Sequence, residues 1–167
     1  MRIVAIVGRS GSGKTTLLRG LIPVLVARGL RVGAVKHSHH PIADFDKPGS
    51  DSQLLSRSGA LITVLSGPGW GRVVAGPTAG KSLGTGTWDE LIEALRAEKL
   101  DVALFEGGKG SPFAKLEVVR GQAPLLAPGG NVRAIVGDAA VDGLPLFAPD
   151  DLRAIADLVL GVGQAGG

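Results

Sequence analysis

The sequence predicts an α/β fold: a mainly parallel sheet flanked by helices, with a β-hairpin extension. Three observations carry this reading. The apolar run over residues 2–7 precedes a glycine-rich stretch, after which Leu17, Leu18, Leu21, Ile22, Leu25 and Val26 recur at helical spacing. A second apolar run over residues 31–36 follows, and strand, helix, strand in that order implies a right-handed crossover between parallel strands. Further on, apolar residues 61–65 and 71–75 are joined by Gly67-Pro68-Gly69-Trp70, a turn-rich link that suits a hairpin.

The first helix should run from Lys14 to about Arg28, with Gly29 as its left-handed stop and a kink at Pro23. Residues 37–49 read as a polar loop, and a short helix over about 50–57 is ended by Gly59. After the hairpin a Gly/Thr-rich loop extends through Gly86. Thr87 and Glu90 have capping-box spacing and open a helix with Leu91, Ile92 and Leu95 on one face. Residues 101–106 form a strand ending in an acid. Residues 115–120 form an alternating strand with Leu116 and Val118 on one side, and residues 132–136 form another strand. Pro149, beside Asp150 and Asp151, is placed in the first turn of a last helix whose apolar face is Leu152, Ile155, Ala156 and Val159. The expectation is one domain over residues 1–160 and a frayed tail over 161–167.

Bulk properties narrow the function classes. A chain of 167 residues with 44% hydrophobic and 20% charged residues suits a single ordinary globular core. The net charge of +3 is mild, and no run of Lys or Arg forms a nucleic-acid footprint. The absence of cysteine excludes disulfides and thiolate metal sites. No apolar run reaches membrane-spanning length and Met1 leads straight into a strand, so the expected setting is cytoplasmic, with neither nucleic acid nor membrane as partner.

The chemistry centres on Gly8-Arg9-Ser10-Gly11-Ser12-Gly13-Lys14-Thr15, followed by Thr16. It fits Gly-x-x-x-x-Gly-Lys-Ser/Thr at every fixed position, between a strand and a helix as the motif requires. The glycines allow a tight turn whose N–H groups face phosphate oxygens, and the positive end of the helix dipole points at the same place. Lys14 is positioned for the β- and γ-phosphates and the Thr15 hydroxyl for Mg²⁺. Gly76-Pro77-Thr78-Ala79-Gly80-Lys81-Ser82 imitates this loop. It has three residues between its glycines instead of four, and Leu83-Gly84-Thr85-Gly86 cannot begin a helix there, so we read a flexible loop and a candidate partner surface.

A bound triphosphate needs a metal, and the metal needs carboxylates. Glu106 ends its strand at the ligand edge of a parallel sheet, followed by Gly107, Gly108 and Lys109, which could meet phosphate. A second constellation is Lys36-His37-Ser38-His39-His40 with Asp44, Asp46 and Asp51. We read it as a switch loop in which Asp44 or Asp46 reaches Mg²⁺ while Lys36 and the histidines face phosphate or a second ligand. A dedicated transition-metal site is the alternative, weakened because the adjacent His39 and His40 diverge. The Asn-Lys-x-Asp guanine-reading pattern is absent. Asp138, just after the strand over 132–136, lies where a base-reading carboxylate could sit.

Taken in order, the phosphate loop, Val35-Lys36-His37-Ser38-His39-His40, Asp46-Lys47-Pro48-Gly49-Ser50-Asp51-Ser52, Gly59-Ala60, Phe105-Glu106-Gly107-Gly108-Lys109 and Lys115-Leu116-Glu117-Val118 resemble the molybdopterin-guanine dinucleotide biosynthesis protein B family over nearly the whole chain. The resemblance implies a P-loop NTPase-like fold and a dimeric GTP-binding protein with weak GTPase activity. It also implies a role assisting a partner nucleotidyltransferase that attaches GMP to molybdopterin, so that molybdopterin or its guanine dinucleotide is a further ligand. Carried over residue by residue, it assigns Gly11, Gly13, Lys14 and Thr15 to phosphate and Mg²⁺. It assigns Asp46, Asp51, His37, His39, His40 and Glu106 to the active-site region. The expected catalytic group is Lys14, Glu106 and Asp46, and the expected Mg²⁺ ligands are Thr15, Asp46 and Glu106. Where the family usually has an aromatic after Glu-Gly, this chain has Gly108, and residues 41–45 are not a clean match to the family in length or polarity. The rival readings are an ATP-dependent small-molecule kinase, a metal-handling GTPase using the histidine loop, and a pure adaptor whose nucleotide only sets conformation.

Overall fold

Among the described residues, nine strands form one sheet in the order β5-β4-β3-β2-β6-β1-β7-β8-β9. The computed structural model describes residues 1–37, 51–83 and 87–162, with the backbone alone at 51–53. In chain order the elements are β1 (Arg2–Val7), α1 (Lys14–Ala27), β2 (Val32–His37), α2 (Asp51–Arg57), β3 (Ile62–Gly67), β4 (Trp70–Ala75), β5 (Ser82–Leu83), α3 (Trp88–Ala97), β6 (Val102–Glu106), β7 (Ala114–Val119), β8 (Val132–Gly137), β9 (Leu146–Phe147) and α4 (Leu152–Gly161). The seven strands from β3 through β9 in the sheet order pair in parallel, while β4 and β5 are antiparallel additions at one edge. This is the mainly parallel α/β architecture with a hairpin extension that the sequence predicts.

Period-two alternation divides the central strands between two cores. Val4 and Ile6 of β1, Val102 and Leu104 of β6, and Leu116 and Val118 of β7 face Leu17, Leu18, Leu21, Ile22 and Leu25 of α1, with Leu55 of α2 and Ile155 of α4. Ile3, Ala5 and Val7, with Val35, Ala103 and Phe105, face Leu91 and Leu95 of α3. A sheet covered on both faces explains why its strands read as continuous apolar runs. α1 ends as expected: Gly29 has φ +79° and its N–H donates to Val26 O at 2.9 Å. It runs as one helix through Pro23.

Four expectations change. Part of the loop read as flexible is β5, with Gly71 opposite Leu83 and Arg72 opposite Ser82. β9 was not foreseen. The strand over 114–119 is not half-exposed: Lys115 and Glu117, which alternate with Leu116 and Val118, are each only 1% exposed. The last helix begins at Leu152, not at Pro149. Asp151 is its N-cap residue, and the Asp151 carboxylate accepts from the Ala148 N–H at 3.2 Å, closing Pro149 and Asp150 into a turn ahead of the helix.

Candidate nucleotide site

The phosphate loop joins the end of β1 to the start of α1. Gly8 has φ +140°, and a Cβ there would lie 2.4 Å from Val118 O, so only glycine lets the chain leave β1 this close to β7. Gly13 caps α1 in the left-handed conformation, and its carbonyl accepts from Leu17 N at 2.9 Å. Lys14 turns back over the loop, and its Nζ donates to Gly8 O at 3.2 Å and to Arg9 O at 2.7 Å. Ser12 is buried, and its Oγ has no hydrogen-bond partner among the described residues. Arg9, exposed, donates to Ala123 O of its own chain at 3.4 Å.

Strand parity and register assemble the acidic side of the site. Glu106 shares a face with Val102 and Leu104, which look toward α1. Register sets it level with Ile6 of β1 on one side and Lys36 of β2 on the other. The Thr15 hydroxyl donates to Glu106 Oε2 at 3.0 Å, and Lys36 Nζ lies 3.5 Å from Oε1. With 7% exposure Glu106 is removed from bulk water, and these two contacts offset the cost of burying a carboxylate. Three residues far apart in sequence thus meet beside the phosphate loop.

His37 follows Lys36 and therefore faces the opposite side of the sheet. Its ring lies 4.5 Å from that of Trp88 on α3, and its Nδ1 is 3.1 Å from Ser66 Oγ. Trp88 packs in turn against Phe113 and Phe105. A Cβ on residue 108 would lie 3.5 Å from Trp88 Cη2, so Trp88 brings an aromatic ring to the turn where the chain itself carries glycine. His39, His40, Asp44 and Asp46 lie outside the described residues, as does the Asp51 side chain; Asp51 opens α2. Lys109 is exposed just beyond Gly108, and Thr16 is exposed on the first turn of α1. Among the described residues no three His, Cys, Asp or Glu side chains gather as a metal site.

A cleft of about 610 Å³ leads away from the loop. Ser12, Gly13 and Thr16 line one part of it, Val119 and Leu152 give it apolar walls, and Asp138 closes another part. It was not legible as a unit, because its walls come from four separate segments. Sequence reasoning also missed Glu117, whose buried carboxylate accepts from the backbone N–H groups of Leu125, Leu126 and Ala127, the last at 2.9 Å. The available signal was a charge on each of two alternate positions in a strand with parallel neighbours on both sides. Burial pushes the Lys115 ammonium below its ordinary value of 10.5, and its Nζ donates to Ser111 O at 2.7 Å and Phe113 O at 2.9 Å.

No helix among the described residues is long and apolar enough to cross a membrane. Residues 3–138 match the family described as molybdopterin guanine dinucleotide synthesis protein B. The chain is 36% identical over 171 residues to an Escherichia coli molybdopterin-guanine dinucleotide biosynthesis adapter protein, covering 95% of this chain and 91% of that one. It is 37% identical over 114 residues to the Haemophilus influenzae protein of the same description, 68% of this chain and 61% of that one. The crystal structure of Bacillus subtilis MobB superposes with a TM-score of 0.61 at 26% identity, covering 99% of this chain and all of that one. With strand order, phosphate loop and relatives in agreement, this chain is a P-loop NTPase-like member of the molybdopterin guanine dinucleotide synthesis protein B family.

Proposed function

We propose that this protein is a GTP-binding adapter of molybdopterin guanine dinucleotide synthesis with weak GTPase activity. The adapter role follows the description of the Escherichia coli relative, and the guanine nucleotide in the family's description makes GTP the triphosphate assigned here. The observation that carries the nucleotide reading is the meeting of Thr15, Glu106 and Lys36 beside a glycine loop at the head of α1. The unpartnered Ser12 hydroxyl and the close approach at Gly8 fit a cradle for phosphate oxygens. Thr15 and Glu106 would hold Mg²⁺, with Asp46 as a third candidate, and the ion when bound neutralises charge on the phosphates.

The chain's own residues supply positioning and charge. The backbone N–H groups of the loop and the N-terminus of α1 orient the phosphates, and Lys14 places its ammonium on the β- and γ-oxygens. Glu106 fixes the Thr15 hydroxyl. Lys36 adds a second positive charge on the same side of the sheet. Arg9, the arginine inside the loop sequence, is turned to Ala123 O of its own chain, which fits slow hydrolysis. Partner nucleotidyltransferase, molybdopterin or its guanine dinucleotide, and a second copy of the chain complete the proposed assembly.

Calorimetric titration of Mg²⁺ and GTP tests the phosphate assignment. Wild type should bind, and Lys14→Ala should lose at least about tenfold in affinity while keeping its melting temperature. Unchanged GTP affinity in that variant would refute the assignment.

A further inference from the structure

We infer that Asp138 is the group that selects guanine over adenine, and that the base lies in the cleft running from Ser12 and Gly13 to the end of β8. This inference rests on the nucleotide reading above. The cleft begins at the phosphate loop and Thr16 and reaches Asp138, so a nucleotide whose phosphates sit on the loop extends its base toward that carboxylate. Its volume of about 610 Å³ lies in the range of small-molecule sites, and Leu17, Val119, Leu152 and Pro149 supply apolar surface for a planar ring.

Gly137 ends β8 with φ +144°, and a Cβ there would lie 1.8 Å from Val119 O. Only glycine allows the β8 chain to turn against the end of β7 at this point. Asp138 N then donates to Val119 O at 3.3 Å, and Asp138 Oδ2 accepts from Gly121 N at 2.8 Å. Asp138 is thus tied to the chain leaving β7 at the mouth of the cleft, once through its backbone N–H and once through a carboxylate oxygen. A fixed orientation is what separates a reading group from a solvated surface charge.

Guanine offers N1–H and the 2-amino group as adjacent donors on one edge, and a carboxylate accepts both through its two oxygens. Adenine presents a lone pair at N1 and a C–H at C2, so the same carboxylate meets it with repulsion and an unpaired charge. The chain lacks the Asn-Lys-x-Asp pattern, so a single tethered carboxylate does the discriminating. Asp150 also lines the cleft.

Xanthine distinguishes the possibilities, because it keeps N1–H and replaces the 2-amino donor by a carbonyl. Binding of GTP, ITP, XTP and ATP, each with Mg²⁺, would be measured for wild type, Asp138→Asn and Asp150→Asn. Wild type should favour GTP over ITP, which lacks the 2-amino group. Asp138→Asn should lose GTP affinity and gain XTP affinity, each by roughly tenfold or more. The gain for XTP requires a folded protein, so it separates altered reading from damage. GTP preference retained by Asp138→Asn, an equal loss for all four nucleotides, or a switch that follows Asp150→Asn instead overturns the inference. Wild type that binds none of the four overturns the nucleotide reading itself, and this inference with it.

Discussion

Lys115 and Glu117 sit side by side on one face of β7, both buried, and each is satisfied by loop backbone: Lys115 by two carbonyls, Glu117 by three amides. Glu117→Ala would strand those amides, at a cost of about 1–3 kcal/mol in urea unfolding. The unfolding midpoint should fall accordingly, whereas an unchanged midpoint would show that water replaces the carboxylate fully. Lys115 gives a pH signature. Its folded value lies below 10.5, so between the two values the unfolded chain binds more protons than the folded one, and stability rises with pH through that window. The stability of wild type relative to Lys115→Met should therefore improve as pH rises toward 10.5, and a flat or falling difference would contradict the burial argument. Such residues are hard to read in sequence, because charge at alternate strand positions usually means an exposed face. Lys36 and His37 show the reverse problem: with the strand read as ending at Lys36, His37 fell in the loop after it and had no strand face. With β2 extending to His37, parity sends Lys36 to Glu106 and His37 to Trp88.

Elements with long periodic patterns were legible, and those held by tertiary contacts alone were not. α3 was announced by its cap: Thr87 Oγ1 accepts from Glu90 N at 3.3 Å. Thr87→Ala should cost about 1 kcal/mol in chemical denaturation, and a loss under a few tenths would show that packing of Leu91 and Leu95 holds the helix start unaided. β5 and β9 are two residues each, too short for a period to exist. β5 is strand only because β4 lies beside it, with Val73 N donating to Lys81 O at 2.9 Å. Pro149 carried a real signal for a helix start, displaced because Asp151 bonds back to Ala148 and makes itself the cap residue.

Across the whole molecule, the C-terminal ends of the parallel strands share one edge, and the candidate site lies along it. β1 delivers the phosphate loop, β6 delivers Glu106, β2 delivers Lys36, and β8 delivers Gly137 and Asp138. That convergence follows from the parallel sheet, which is why the phosphate motif and the strand-end acid read from sequence lie side by side in the structure. The cleft was less legible because its shape depends on where α4 packs against α1, a contact no local pattern encodes. The account's central claim is that a metal-bound triphosphate sits at the head of α1 between Thr15 and Glu106. The most direct measurement is GTP affinity with and without Mg²⁺ for wild type and Thr15→Val, a near-isosteric change that removes only the hydroxyl. The account predicts that Mg²⁺ tightens binding to wild type by about tenfold or more and has little effect on Thr15→Val. An identical Mg²⁺ dependence in both proteins would contradict it.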